Sequence, residues 1–132
     1  MINKVKVFVY GTLMKGYKNH RLIDSQKTSK FLGKGVTQDN IFTMIDLVNF
    51  PGVIEKGVTN IVGEIYEIDL NTLQSLDYLE GHPNFYRRKV VNIINKKKVE
   101  EVNMYILNSS YNERSSNFDI IKSGNYKLKN LK

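Results

Sequence analysis

Only one stretch of this chain carries a sustained helical pattern; nearly everything else alternates or runs in short β-branched blocks. Asp69 is a good N-cap, Leu70, Leu73 and Leu76 follow at helical spacing, and Gly81 then Pro83 stop the chain from continuing. Ahead of this helix, Val5-Lys6-Val7-Phe8-Val9-Tyr10 reads as a strand buried on both faces and closed by Gly11. Weaker strands are predicted near Ser29–Val36, Ile41–Asp46 and Gly52–Glu55, with a clear one at Ile61–Ile68. Tyr86–Ile94 and Val99–Leu107 flank a lysine-rich turn and form a hairpin. A short helix fits His20–Ser25. The tail Ser109–Lys132 is polar and poorly periodic, so irregular wrapping anchored by Phe118, Ile120 and Ile121 is expected. Strands dominate and one helix crosses between them, which makes the fold class α+β or a closed mixed barrel.

A length of 132 residues fits one domain, 1–132, with 108–132 as an irregular C-terminal segment. With 41% hydrophobic and 25% charged residues, the chain lies far from the composition of disorder. The absence of cysteine excludes disulfide frameworks, thiolate-ligated zinc, iron–sulfur clusters and a cysteine nucleophile. No apolar run approaches the length of a membrane span, and Met1-Ile2-Asn3-Lys4 does not open a signal peptide. A cytoplasmic protein with no membrane partner is therefore expected.

The net charge is +7, from 20 Lys and Arg against 13 Asp and Glu. The basic runs Arg87-Arg88-Lys89 and Lys96-Lys97-Lys98 have no array of stacking aromatics between them. They read as solvated faces, and no specific nucleic-acid partner is expected. The two histidines, His20 and His82, are too few to hold a metal and read as loop residues. No metal or cofactor is expected.

The predicted helix carries acids where apolar residues belong. At about 100° per residue Leu73 centres the apolar stripe, with Glu80 only about 20° away and Asp77 about 40° to the other side. Glu80 also falls in the last turn, at the negative end of the helix dipole. Desolvation and dipole both raise a carboxyl pKa, which suits a general base working near neutrality. A helix-end glutamate paired with Arg87 or Arg88 is the other open reading. Asp77 reads as structural, an acceptor for hydrogen bonds under the sheet. The turn Tyr10-Gly11-Thr12-Leu13 is open in the same way: a plain strand-ending turn, or a nest of amides for a carboxylate or oxyanion.

These signals coincide with a family. Phe8-Val9-Tyr10-Gly11-Thr12-Leu13, Gly16 and Asn19-His20 resemble the opening of the gamma-glutamylcyclotransferase-like proteins, particularly the gamma-glutamylamine cyclotransferases of the AIG2-like group. Phe50-Pro51-Gly52-Val53 is similar to their Tyr-Pro-Gly segment, with phenylalanine replacing tyrosine. Val62-Gly63-Glu64-Ile65-Tyr66-Glu67-Ile68-Asp69 resembles their Gly-Glu-Val-Tyr strand, and Leu76-Asp77-Tyr78-Leu79-Glu80-Gly81 with Tyr86-Arg87-Arg88 resembles the segment bearing the catalytic glutamate. Ser123-Gly124-Asn125-Tyr126 is similar to a Ser-Gly-Asp-Trp ending, with both final residues changed.

The resemblance implies a small mixed β-barrel with flanking helices. It implies a gamma-glutamyl cyclotransferase whose substrate is a small gamma-glutamyl amine or gamma-glutamyl peptide. In that reaction the α-amine of a gamma-glutamyl group attacks its own side-chain carbonyl, forms 5-oxoproline and expels an amine. Glu80 would be the catalytic base, and Tyr10, Gly11, Thr12 and Leu13 would hold the glutamyl portion. Tyr86 matches a tyrosine near the pocket; it either bonds substrate or packs its ring in the core with its hydroxyl at the rim. Arg87 and Arg88 alternate along a strand, so only one of them can face the pocket mouth. A monomer or weak homodimer is expected. A non-catalytic binding or regulatory module on the same fold is the alternative.

Overall fold

The computed structural model describes residues 3–130. Met1, Ile2 and Lys132, named above, lie outside them. Five strands close into a barrel in the order β1 (Lys4–Val9), β5 (Val62–Asp69), β2 (Lys30–Thr37), β6 (Tyr86–Asn95) and β7 (Lys98–Leu107). All neighbours are antiparallel except β1 and β7, whose parallel pairing at Val7↔Asn103 and Phe8↔Met104 closes the ring. Closure removes the unpaired edges that an open sheet of these apolar strands would expose. A second sheet, ordered β4-β3-β8, packs beside it and is built from β3 (Phe42–Asp46), β4 (Pro51–Thr59) and β8 (Asp119–Ile120). The expected small mixed barrel with flanking helices is the architecture observed.

The core accounts for the apolar runs in the sequence. Val7, Phe8 and Val9 are buried in succession, as a strand covered on both faces requires, and Ile65, Ile68, Ile93, Met104 and Ile106 join them. β4 runs to Thr59, four residues beyond its predicted end, because Thr59 still pairs with Phe42 across a bulge. The β6–β7 hairpin turns at Lys96 and Lys97, with φ of 50° and 69° between the paired Asn95 and Lys98. Positive φ at both central residues is the pattern of a type I′ turn, whose twist matches that of the flanking strands.

The main helix, α2 (Leu70–Glu80), follows β5 without a loop. Asp69 ends the strand and caps the helix: it accepts the Thr72 amide at 2.8 Å and the Thr28 hydroxyl at 2.6 Å. The Thr28 bond first, and the Thr72 amide next, hold its carboxyl down at about 2. The face turned to the barrel carries Thr72, Leu73 and Leu76, whereas Leu70 is 44% exposed, against expectation. Leu70 is the first residue of the helix, and Thr72 takes the buried place in that turn. Gly81 stops the helix at φ 65°, its amide bonding the Tyr78 carbonyl and the His82 amide bonding that of Asp77, a Schellman closure.

A four-residue helix, α1 (Arg21–Asp24), lies within the predicted short helix. The C-terminal segment is broken into short pieces: α3 (Tyr111–Arg114), two 3-10 turns and β8. Its anchors differ from those expected. Ile121 and Tyr126 are buried and Phe118 half-buried, but Ile120 is 54% exposed because β8 presents both residues to solvent.

Candidate active site

Where β1 ends and α2 ends, a cavity of about 350 Å³ opens. Tyr10, Gly11, Thr12, Leu13, Glu80 and Tyr86, the six residues singled out in the sequence, all line it. The floor is buried: Phe8, Val9, Tyr10, Leu13, Pro51, Tyr86 and Tyr105. The mouth is formed by the more accessible Thr12, Lys18, Asn19, Phe50, Leu79 and Phe85.

Glu80 reaches this cavity as the last residue of α2, on the helix face that also buries Leu73 and Leu76. It makes no hydrogen bond or ion pair with any described residue. The two arginines that follow it in the sequence are paired elsewhere: Arg88 Nε donates to Asp77 Oδ1 at 2.7 Å, and Arg87 lies 3.8 Å from Glu55. Neither arginine lines the cavity. Burial pushes the Glu80 carboxyl up to about 7.

The walls facing Glu80 carry three tyrosines. Burial raises the phenol pKa of Tyr10, Tyr86 and Tyr105, and the Glu80 charge adds to each. All three hydroxyl protons are committed within the protein: Tyr10 to the Tyr105 carbonyl at 2.7 Å, Tyr86 to the Pro51 carbonyl at 2.6 Å, and Tyr105 to Asp77 Oδ1 at 2.6 Å. Tyr86 therefore has only a lone pair to offer a ligand, and its hydroxyl lies inside rather than at the rim. Among the lining residues Glu80 is left as the one group that changes charge near neutral pH.

The Tyr10–Leu13 turn is held by its carbonyls and leaves its amides free. Gly11 O accepts the Met14 amide, Thr12 O the Asn19 amide, and Leu13 O lies 2.9 Å from His20 Nδ1. The amides of Gly11, Thr12 and Leu13 bond to no described residue, although Gly11 and Leu13 are buried. Buried amides are nearly always paired, so three free ones in a row at a cavity wall are available to an anion or carbonyl oxygen. Gly11 is needed for closeness, not for an unusual φ: a Cβ there would stand 2.7 Å from Pro51 Cγ. That contact gives the Phe50-Pro51-Gly52 segment its place in the site. Asn19, at the cavity mouth, braces the turn by donating to Thr12 Oγ1 at 2.9 Å.

His20 and His82 are both loop residues with structural bonds; His82 Nδ1 accepts the Arg88 amide at 3.1 Å. Asp77 accepts hydroxyl and guanidinium hydrogen bonds, as its structural reading expected. Sequence reasoning missed Tyr105, Lys18, Leu79 and Phe85. Tyr105 and Lys18 carried no local signal, and Phe85 only that of an aromatic next to Tyr86.

The profile described as "Gamma-glutamyl cyclotransferase, AIG2-like" matches residues 7–128. The chain belongs to this family. A Methanocaldococcus jannaschii protein whose name assigns it provisionally to the gamma-glutamylcyclotransferases is 48% identical over 67% of the chain and 71% of its own length. The rat gamma-glutamylaminecyclotransferase is 35% identical over 66% of the chain, an alignment that spans 62% of the rat protein. In three dimensions a mouse AIG2-like protein superposes with a TM-score of 0.78 at 25% identity, over 92% of this chain and 88% of that one. No helix among the described residues is long and apolar enough to cross a membrane.

Proposed function

We propose that the protein cyclises gamma-glutamyl amines or gamma-glutamyl peptides to 5-oxoproline with release of the amine, using Glu80 as its general base. One observation carries the reading: an unpaired carboxyl raised to about 7 shares a cavity with three unpaired backbone amides. The names borne by the rat and Methanocaldococcus relatives support the same chemistry.

The substrate brings its own nucleophile, so effective molarity replaces a protein nucleophile. The Glu80 carboxylate removes a proton from the α-ammonium, and the freed amine attacks the side-chain carbonyl carbon. The new carbon–nitrogen bond makes a tetrahedral centre whose oxygen is negative. The Gly11–Leu13 amides receive either that oxygen or the substrate α-carboxylate. Glu80 gives its proton to the leaving nitrogen, then takes the second from the ring nitrogen and delivers it in turn, and the carbonyl re-forms as the bond between the carbon and the leaving nitrogen breaks. The products are a neutral lactam and an ammonium ion, with Glu80 again ionised. A base near 7 matches this double role, accepting and returning protons at neutral pH.

The three tyrosines keep the walls neutral, so no second acid competes for the α-ammonium. The test is 5-oxoproline release from a panel of gamma-glutamyl amines and gamma-glutamyl dipeptides. Turnover of at least one compound is the expected result. Ligand binding without turnover of any would instead favour a non-catalytic module.

A further inference from the structure

Glu64 is the one buried charged side chain among the described residues, at 4% exposure, and the proposed chemistry does not use it. It stands on β5 opposite Val9, where the chain leaves β1 for the Tyr10–Leu13 turn. Its carboxylate faces away from the turn's cavity and grips the same loop from behind. Oε1 accepts the Lys15 amide at 2.9 Å and the Tyr66 hydroxyl at 2.9 Å, and Oε2 lies 3.3 Å from Lys127 Nζ. Lys15 directly follows Met14, whose amide closes the turn on Gly11.

The loop needs such a hold because it is a partition. On its far side a second cavity of about 510 Å³ is lined in part by Lys15, His20, Glu64, Tyr66 and Lys127. Leu13 and Met14 anchor the segment in the core, and the Glu64 bond to the Lys15 amide fixes the backbone just beyond them. The C-terminal segment supplies the rest of the brace. The Gly124 carbonyl accepts the Val62 amide at 2.9 Å, and buried Tyr126 packs on Tyr17 of the loop with ring centroids 5.5 Å apart. Lys127 follows Tyr126 and neutralises Glu64 from that anchored position.

We infer that Glu64 is a positioning residue: backed by Lys127 of the C-terminal segment, its carboxylate fixes the Lys15 amide and so holds the free Gly11–Leu13 amides in receiving geometry. The kinetic consequence rests on the function proposed above; the structural one does not. With those amides on the substrate α-carboxylate, losing the brace weakens ground-state and transition-state binding alike and leaves the base in place, so KM rises and the chemical step does not change.

The experiment compares Glu64→Ala, Glu64→Gln, Lys127→Met and the Glu64→Gln/Lys127→Met double variant. Hydrogen exchange of peptides covering residues 11–15 is one readout; kcat, KM and the pH midpoint are the others. Glu64→Ala is expected to raise KM about tenfold and speed exchange, with kcat and the pH midpoint retained. Lys127→Met strands a buried charge and is expected to raise KM about fivefold. Adding Glu64→Gln brings both readouts back toward the wild type, because glutamine still accepts from Lys15 and Tyr66 without a charge to neutralise. Unchanged exchange and KM in Glu64→Ala, or a double variant no better than Lys127→Met, overturns the inference. Should the wild type turn over no gamma-glutamyl compound, the functional reading falls, and the exchange data alone decide the brace.

Discussion

The Tyr105 hydroxyl donates to Asp77 Oδ1 at 2.6 Å, and through that bond strand β7 holds the last turn of the helix that ends in Glu80. Arg88 Nε donates to the same oxygen at 2.7 Å, and the Tyr105 carbonyl in turn accepts the Tyr10 hydroxyl. Asp77 thus ties together the helix end, both strands of the hairpin and the start of the amide turn. The Asp77 hydrogen bond is also the first cause of the raised Arg88 pKa, followed by a smaller opposing effect of burial. Asp77→Ala leaves two donors without their acceptor and is expected to cost about 1–3 kcal/mol of stability. Asp77→Asn, which keeps an accepting oxygen, is expected to cost less. Denaturant unfolding of the two variants checks the order.

Glu80→Gln tests the base directly. A carboxamide keeps the shape and cannot accept the α-ammonium proton, so kcat is expected to fall by about 10²–10⁴-fold with the fold intact. In the wild type, activity should climb with pH as the carboxyl ionises at about 7. Stability should run the opposite way. The folded carboxyl holds its proton to about 7, the unfolded one only to about 4.5, so the folded state binds more protons between those values. Wild-type stability is therefore lost as pH rises through that window. Glu80→Gln removes the loss and should raise Tm at pH 8 but not at pH 4. Equal kcat in the two proteins would rule Glu80 out as the base.

The amide turn makes a prediction about backbone rather than side chain. Gly11→Ala places a methyl 2.7 Å from Pro51 Cγ, and either the ring or the turn must move. Thr12→Ala removes only the acceptor for Asn19 Nδ2. We expect Gly11→Ala to raise KM at least tenfold and Thr12→Ala to raise it no more than about threefold. Steady-state kinetics on the best substrate of the panel separates them. A larger effect at Thr12 would mean that its hydroxyl, not the backbone, meets the ligand.

What could be read in the sequence divides along the range of the interactions. Glu80 was legible because helix periodicity is local: the spacing from Leu73 places it on the buried face whatever packs there. The Gly11 turn was legible as a turn, but its reason was not, since the Pro51 ring that fills the space lies forty residues away. Tyr105 and Lys18 reach the cavity only through barrel closure and loop geometry, which no spacing rule encodes. Leu70 was misread because the apolar stripe was drawn from three leucines, whereas Thr72 takes the buried place in the first turn. Arg87 and Arg88 alternate as a strand demands, yet β6 directs them to Glu55 and Asp77. The partners that decide such directions come from other strands, and the barrel's pairing had to be known first.

In the lysine-rich turn the sequence departs from what its backbone prefers. Lys96 and Lys97 both hold positive φ, where a side chain is strained and Asn-Gly is favoured. Neither residue lines the candidate active site, and the hairpin is paired through to Asn95 and Lys98. Lys96→Asn/Lys97→Gly is therefore expected to stabilise the fold by about 1 kcal/mol by relieving that strain. The double variant also removes two positive charges from the most concentrated lysine run. If the charge does no more than keep the protein soluble and weakly steer an anionic substrate, kcat stays unchanged and kcat/KM shifts slightly, with the difference vanishing at high salt. A nucleic-acid function would show instead as duplex or single-strand binding at physiological salt that the double variant loses. Thermal melts, kinetics at two ionic strengths and a binding assay on the same pair of proteins give all three answers.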